Sequence, residues 1–381
     1  MSRVVVTGLA GSLGQRVASL LAGHLEVTTL VGIDIESSPA LPSGAVEVTA
    51  DLQGDPEPIR RAMAGASAVV HLAWQTPDSL HHDKDDGIAA WSTNLASLRQ
   101  VLDLAAEAGV DTVVHLSSAT VYGAWPDNPV PLSEDAALRP NPEFSFAVSK
   151  AEAERTVAAW ADSHPAIAVA VLRPTVTLGT PVRPLYQALG GTRSPRGGDG
   201  GRTVQFVHVD DLASAVVLAW KKRLRGVYNV APDGGIGEDT ARALAGGVAK
   251  VALPGQLAHA VAAWSWRLWR LGSPREAQAY ARWPWSIAPD RLLAAGWVPQ
   301  HTSEEALVAT DERAHWDDLP PGRRQNLTVL AAAGAVVAAA VSAAGLLIGR
   351  SRRARASDTL VRRLMGRTIS PGRRRRGSRR G

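Results

Sequence analysis

The stretch Val4-Val5-Val6-Thr7-Gly8-Leu9-Ala10-Gly11-Ser12-Leu13-Gly14 constrains this chain more than any other. A β-branched run leads into glycines three apart, and Gln15-Arg16-Val17-Ala18-Ser19-Leu20-Leu21 then carries apolar residues at helical spacing. The pattern predicts a strand, a tight turn and a helix. In such a turn the glycines let the backbone approach a pyrophosphate, while the N–H groups and positive dipole end of the helix face its charge. About twenty residues further on, the run Thr29-Leu30-Val31-Gly32-Ile33 ends in Asp34, placed to accept from both hydroxyls of an adenosine ribose. An acid there repels a 2′-phosphate, so NAD is expected over NADP. The competing reading is a glycine-rich turn followed by an ordinary surface aspartate.

The strands and helices that follow keep the same rhythm. Ala45-Val46-Glu47-Val48 runs into Asp51, which either accepts from an adenine amino group or caps a helix starting near Pro56. Ala68-Val69-Val70-His71-Leu72-Ala73 reads as a buried strand, with His71 a core histidine. Gln75 to Gly87 reads as a polar loop; its cluster of His81, His82, Asp83, Asp85 and Asp86 matches no standard ligand spacing, so no metal is expected. Trp91 to Ala108 has a helical apolar stripe, with Asn94 near its start and directed towards a nicotinamide. The strand Val110 to Leu116 ends in Ser117-Ser118-Ala119-Thr120-Val121-Tyr122-Gly123, hydroxyls at the edge where ligands bind in an open parallel sheet. A helix opening at Phe144 then places Phe146 and Lys150 one turn apart on one face.

These elements together resemble the extended short-chain dehydrogenase/reductases, the group that contains NAD-dependent epimerases and dehydratases. The matching residues are Thr7-Gly8-x-x-Gly11-x-x-Gly14, Asp34, Asp51-Leu52, His71-Leu72-Ala73, the Ser117–Gly123 run and the helix carrying Lys150. Leu172-Arg173-Pro174, Phe206-Val207-His208-Val209-Asp210-Asp211-Leu212-Ala213 and Ala294-Ala295-Gly296-Trp297-x-Pro299 follow in order, so the resemblance spans roughly residues 1 to 310. It implies a doubly wound α/β Rossmann sheet with a smaller mixed C-terminal substrate lobe. It also implies cofactor contacts at Gly8, Gly11, Ser12, Leu13, Gly14 and Asp34, and further ones at Asp51, Leu52, Leu72, Ala73, Asn94 and Lys150.

One position departs from the family. There the helix reads Tyr-x-x-x-Lys: the tyrosine hydroxyl exchanges the proton that accompanies hydride transfer, the lysine lowers its pKa and holds the nicotinamide ribose, and a serine positions the substrate oxygen. By resemblance Lys150 and Ser118 fill two of these roles. The tyrosine position holds Phe146, whose ring has no exchangeable proton. Three readings stay open. Tyr122, or a water held by Ser118 and Lys150, carries the proton in an active enzyme; or the lobe binds NAD(H) as a sensor or scaffold; or a lyase-type reaction dispenses with that hydroxyl.

Beyond this lobe the residues say less. In the nucleotide-sugar epimerases that this chain resembles an asparagine follows soon after the Arg-Pro element; Thr175 to Thr177 contain none, so the resemblance counts against a UDP-sugar. Arg193, Arg196 and Arg202, in or beside a glycine-rich loop, either grip a phosphate or face solvent. Seven of the twelve tryptophans lie after residue 260, several beside the stripe Leu257, Val261, Trp264, Leu268 and Leu271, which reads either as the core of the lobe or as a pocket or membrane-interface face for a bulky apolar molecule. On the second reading a hydrophobic small-molecule substrate is preferred to a sugar nucleotide. Asp210-Asp211 read as a helix N-cap. Zero cysteines exclude thiol chemistry and disulfides.

The net charge of +5 hints at nucleic acid, but its excess of arginine lies in the tail after Arg323. Leu327 to Gly349 is uncharged and long enough to cross a bilayer, and arginines crowd Arg350 to Arg380. The expected division is a Rossmann domain over 1–180, a substrate lobe over 181–315, a linker over 316–326, a transmembrane or membrane-associated helix over 327–349 and a basic disordered tail over 350–381. Anionic lipid is the simpler partner for that tail than nucleic acid. With no signal segment before Val4, the catalytic lobe is expected in the cytoplasm and the protein at the membrane. Oligomeric state is left open, a homodimer included.

Overall fold

The computed structural model describes residues 2–75, 84–179, 202–244 and 277–309, all within the compact unit Met1–Asp311. The His81–Asp83 part of the acidic loop, the 190–201 glycine loop, the tryptophan stripe from Leu257 and the tail from residue 310 lie outside the described residues, as do the side chains of Asp85 and Asp86. Among the described residues no helix is long and apolar enough to cross a membrane.

Seven strands form one sheet in which every neighbouring pair is parallel. In chain order they are β1 (Ser2–Thr7), β2 (Val27–Asp34), β3 (Val46–Thr49), β4 (Ala68–His71), β5 (Thr112–Leu116), β6 (Ala168–Pro174) and β10 (Gly226–Val230), arranged β10-β6-β5-β4-β1-β2-β3. Strands covered on both faces read as continuous β-branched runs, which is the composition of β1, β4 and β5. Their residues alternate between two layers. Val4, Val6 and Val70 pack with α1 (Ser12–Ala22) and α5 (Val209–Lys221), whereas Val5, Val69 and Val113 pack with α2 (Pro56–Met63) and α3 (Lys84–Ala108). α4 (Ser145–Ser163) lies against α3 on that second face. Strand addition changes direction between β1 and β4, and a crevice opens there beyond the strands' C-terminal ends.

A third core carries the large aromatics. Trp91 meets Phe146 edge to face with ring centres 5.9 Å apart, Phe144 lies 5.6 Å from Phe146, and Tyr280 lies 5.2 Å from Phe144. This chain of rings joins the sheet domain to α7 (Gln278–Arg282), with α6 (Glu238–Leu244) between them in sequence. Two short strand pairs, β7 (Val176–Leu178) with β9 (Phe206–His208) and β8 (Thr203–Val204) with β11 (Ile236–Gly237), edge the same region. Trp297, past α8 (Asp290–Ala294), donates its indole N–H to the Asp211 carbonyl and the Ser214 hydroxyl, tying the C-terminal segment to α5.

Three local expectations change. α3 begins at Lys84, so residues 84–87 are helical and not loop. The cap of α2 is Asp55, whose carboxylate accepts from the Glu57 amide, and not Asp51. The cap of α5 is His208; Asp210 pairs with Arg16, and Asp211 accepts from the amides of Gln300 and His301.

Candidate active site

The glycine turn is built by the chain's own packing at two positions and left open at the third. Gly8 has φ +79°, and a Cβ there would lie 2.7 Å from the Ala73 amide nitrogen. At Gly14 it would meet the Gly8 carbonyl oxygen at 2.1 Å, so helix α1 can approach β1 only without a side chain there. Gly11 is different. Its nearest neighbour would be 3.4 Å away, which is ordinary contact, so nothing within the protein requires glycine. Gly11 is the N-cap of α1, no side chain caps the helix, and its first turn carries no acid. That is a half-buried set of backbone N–H groups without a capping side chain at a positive helix end, a cradle fitted to a phosphate group.

Asp34 ends β2 beside this turn. Its Oδ2 accepts from the Ala10 amide at 2.8 Å and its Oδ1 from the Ile35 amide at 2.7 Å. Oδ1 also accepts from the Glu36 amide at 3.4 Å, so the carboxylate holds the glycine turn in place while Oδ2 keeps a further lone pair.

A cleft of about 1000 Å³, counting the solvent at its mouth, runs from the cradle past the ends of β4, β5 and β6. Of the expected residues, Gly8, Gly11, Ser12, Leu13, Gly14, Leu72, Ser118, Phe146 and Lys150 line it. Ser118 Oγ accepts from the Thr120 amide at 3.2 Å and the Thr120 hydroxyl at 3.0 Å, which leaves its own O–H to donate. Phe146 presents its ring to the cleft from α4, held by Trp91 and Phe144.

Lys150, one turn on, is 4% exposed. Its Nζ donates to the Leu116 carbonyl at 2.8 Å and stands 3.6 Å from the centre of the Trp74 ring. Burial lowers its ammonium to about 7, against the opposing pull of Glu154. Glu154 itself is committed elsewhere, to the Nε and Nη2 of Arg173 and to the Ser117 hydroxyl. His71 and His115 stack 5.6 Å apart at the ends of β4 and β5, and burial followed by the nearby Lys150 charge drives both down, His71 to about 3. They are neutral imidazoles. His71 Nδ1 shares a 2.7 Å hydrogen bond with the Thr7 hydroxyl.

Other expected residues lie off the cleft. Asp51 is exposed and accepts from the Gln53 amide, closing a turn after β3. Leu52 is buried in the sheet's second core layer, and the Ala73 amide reaches the Thr7 hydroxyl. Asn94, expected at a nicotinamide, instead pairs through its amide with both the N–H and the C=O of Gln75. Tyr122, a candidate proton carrier, is buried with its hydroxyl donating to Asn229 Oδ1 and accepting from Arg173; burial raises it to about 12. It belongs to the network beneath the site. Trp74 was not singled out in the sequence, although it follows β4 where side chains face the crevice.

Fold and cleft define a doubly wound dinucleotide-binding protein. The family model described as NAD dependent epimerase/dehydratase matches residues 4–231, and the chain belongs to that family of extended short-chain dehydrogenase/reductases. An uncharacterized protein of Sinorhizobium fredii is 29% identical over 231 residues, 59% of this chain and 55% of its own, so the chain spans about half the length of that relative. The UDP-glucose 4-epimerase of Azospirillum brasilense is 32% identical over 253 residues, 59% of this chain and 70% of the epimerase. The solved UDP-glucose 4-epimerase of Thermus thermophilus, in complex with NAD, shares the fold at TM-score 0.62 and 24% identity, covering 81% of this chain and 97% of that one.

Proposed function

We propose that the cleft binds NAD and that the protein is an oxidoreductase or epimerase/dehydratase-type enzyme acting by hydride transfer at a hydroxyl or keto carbon of a small molecule. The observation that carries this reading is that one cleft is lined both by the glycine turn, open at Gly11, and by Ser118 with Lys150. Gly11 and the N–H groups of the first turn of α1 would hold the pyrophosphate, Asp34 the adenosine ribose and Lys150 the nicotinamide end. The bound cofactor would supply the hydride acceptor. Ser118 then donates its free O–H to the substrate oxygen, and Trp74, Phe146 and Leu178 keep water from the reacting carbon. The related enzyme of Azospirillum brasilense is a UDP-glucose 4-epimerase, so nucleotide sugars belong in a substrate panel beside the hydrophobic alcohols that the tryptophan-rich stretch favours.

Phe146 supports a second reading, a catalytically impaired NAD(H)-binding sensor or membrane scaffold, because a general acid/base is worth roughly 10²–10⁴ in rate. The test is the full-length chain with NAD and such a panel, wild type beside Phe146→Tyr, with products followed by mass spectrometry. Product from either protein supports the enzyme. None from both supports the sensor. We also propose that the uncharged 327–349 segment and its arginine-rich sequel bring the chain to anionic membrane, with the catalytic lobe in the cytoplasm. Recovery of the full chain in the soluble fraction at low salt contradicts that proposal.

A further inference from the structure

Replacement of the family tyrosine by Phe146 leaves the proton of the reaction without its usual carrier, and the cleft narrows the replacements. Among the described residues that line it, Lys150 is the one amine or other acid–base group; Ser12, Ser117, Ser118, Thr175 and Thr177 contribute only hydroxyls. Tyr122 is withdrawn into the Arg173 network. We propose that Lys150 itself carries the proton in this protein, as acid in one direction of the reaction and as base in the other.

The geometry supports an amine that gives up its proton readily. Lys150 forms no ion pair among the described residues; its Nζ touches a neutral carbonyl and the face of Trp74. The groups packed around it are Glu154 on its own helix, His71 on β4 and His115 on β5. Glu154 is neutralised by the buried Arg173 of β6, and both imidazoles are neutral. With no ion pair at Nζ and only the more distant pull of Glu154, burial favours the amine.

This role rests on the proposed NAD chemistry. When a carbinol is oxidised, its C–H bond breaks and the hydride leaves to the nicotinamide cofactor, the oxidant; its O–H proton passes to the Lys150 amine, leaving a carbonyl and an ammonium. Reduction runs the same transfers backwards. Ser118 holds the oxygen throughout.

The test needs no substrate. Competitive labelling of the full-length chain with acetic anhydride, read at Lys150 by peptide mass spectrometry, gives its titration midpoint. The same chain unfolded in guanidinium serves as the reference, at about 10.4. The expected midpoint in the folded protein is near 7; coincidence with the unfolded reference overturns the proposal.

The second arm uses the extra positive charge of NAD+ over NADH. Losing the Lys150 proton relieves repulsion, so the ratio of the NAD+ to the NADH dissociation constant falls as pH rises through that midpoint, by about fivefold or more. In Lys150→Arg, whose charge is permanent, the ratio stays flat. A flat ratio in wild type, or an equal slope in Lys150→Arg, overturns the proposal. Failure of both nucleotides to bind refutes the NAD reading instead, and the labelling midpoint still decides whether Lys150 can exchange a proton.

Discussion

The Lys150 Nζ stands 3.6 Å from the centre of the Trp74 ring, and both residues line the cleft. A desolvated cation–π contact is worth about 2 kcal/mol and favours the charged amine, yet Lys150 is held near 7 because burial outweighs it. The Trp74 ring covers one side of Nζ. Trp74→Ala therefore admits water, and the Lys150 midpoint moves up towards about 10.4. Acetic anhydride labelling reads the change; a midpoint that stays near 7 or falls shows that the surrounding strands, and not the indole, exclude solvent.

Gly11 and Gly14 separate packing from binding. Gly14→Ala drives a methyl against the Gly8 carbonyl, with no flexible side chain to yield, and costs several kcal/mol. Gly11→Ala finds ordinary contact distances and leaves the urea midpoint nearly unchanged, but puts a methyl in the cradle and weakens NADH binding by about tenfold or more. Equal loss of stability in both variants contradicts this division.

Arg173 and Glu154 are each 5% exposed and bound through two guanidinium nitrogens. Glu154→Gln leaves the Arg173 charge buried without a counter-charge and costs about 3 kcal/mol or more in urea unfolding. Tyr122→Phe strips a partner from both Asn229 and Arg173 and costs about 1–3 kcal/mol. A variant enzyme that loses activity on Tyr122→Phe without losing stability restores Tyr122 as a reacting group.

Acid stability follows from His71. In the unfolded chain its imidazole titrates near about 6.5; in the folded protein it is held down at about 3. Between those values the unfolded state binds the extra proton. The stabilisation is complete above about 6.5 and drains away as pH falls towards about 3. His71→Asn keeps a polar partner for Thr7 and removes the titration, so its urea midpoint falls less between about pH 7 and pH 4.5 than that of wild type. Parallel losses assign the acid sensitivity to other groups.

What the residues disclosed beforehand was local. The strand–turn–helix at Gly8–Gly14 and the placement of Asp34 at the end of β2 follow from periodicity and glycine stereochemistry, both short-range. The shared face of Phe146 and Lys150 follows from helical spacing. Long-range partners were another matter. The Tyr122 hydroxyl meets Asn229 and Arg173, which are 107 and 51 residues away in sequence, and no nearby pattern encodes that meeting. Asn94 turns to the Gln75 backbone for the same kind of reason, its buried amide requiring two partners that the end of β4 provides. Asp51 and Asp55 compete for one role at adjacent turns, and the backbone at Asp55, directly before Pro56, decides it.

The central claim is that this cleft holds NAD. Titrating NADH into the full-length protein and following nicotinamide fluorescence, with NADPH as comparator, tests it most directly. Saturable binding that favours NADH, and that Gly11→Ala weakens, is the predicted result; no binding of either nucleotide contradicts the account.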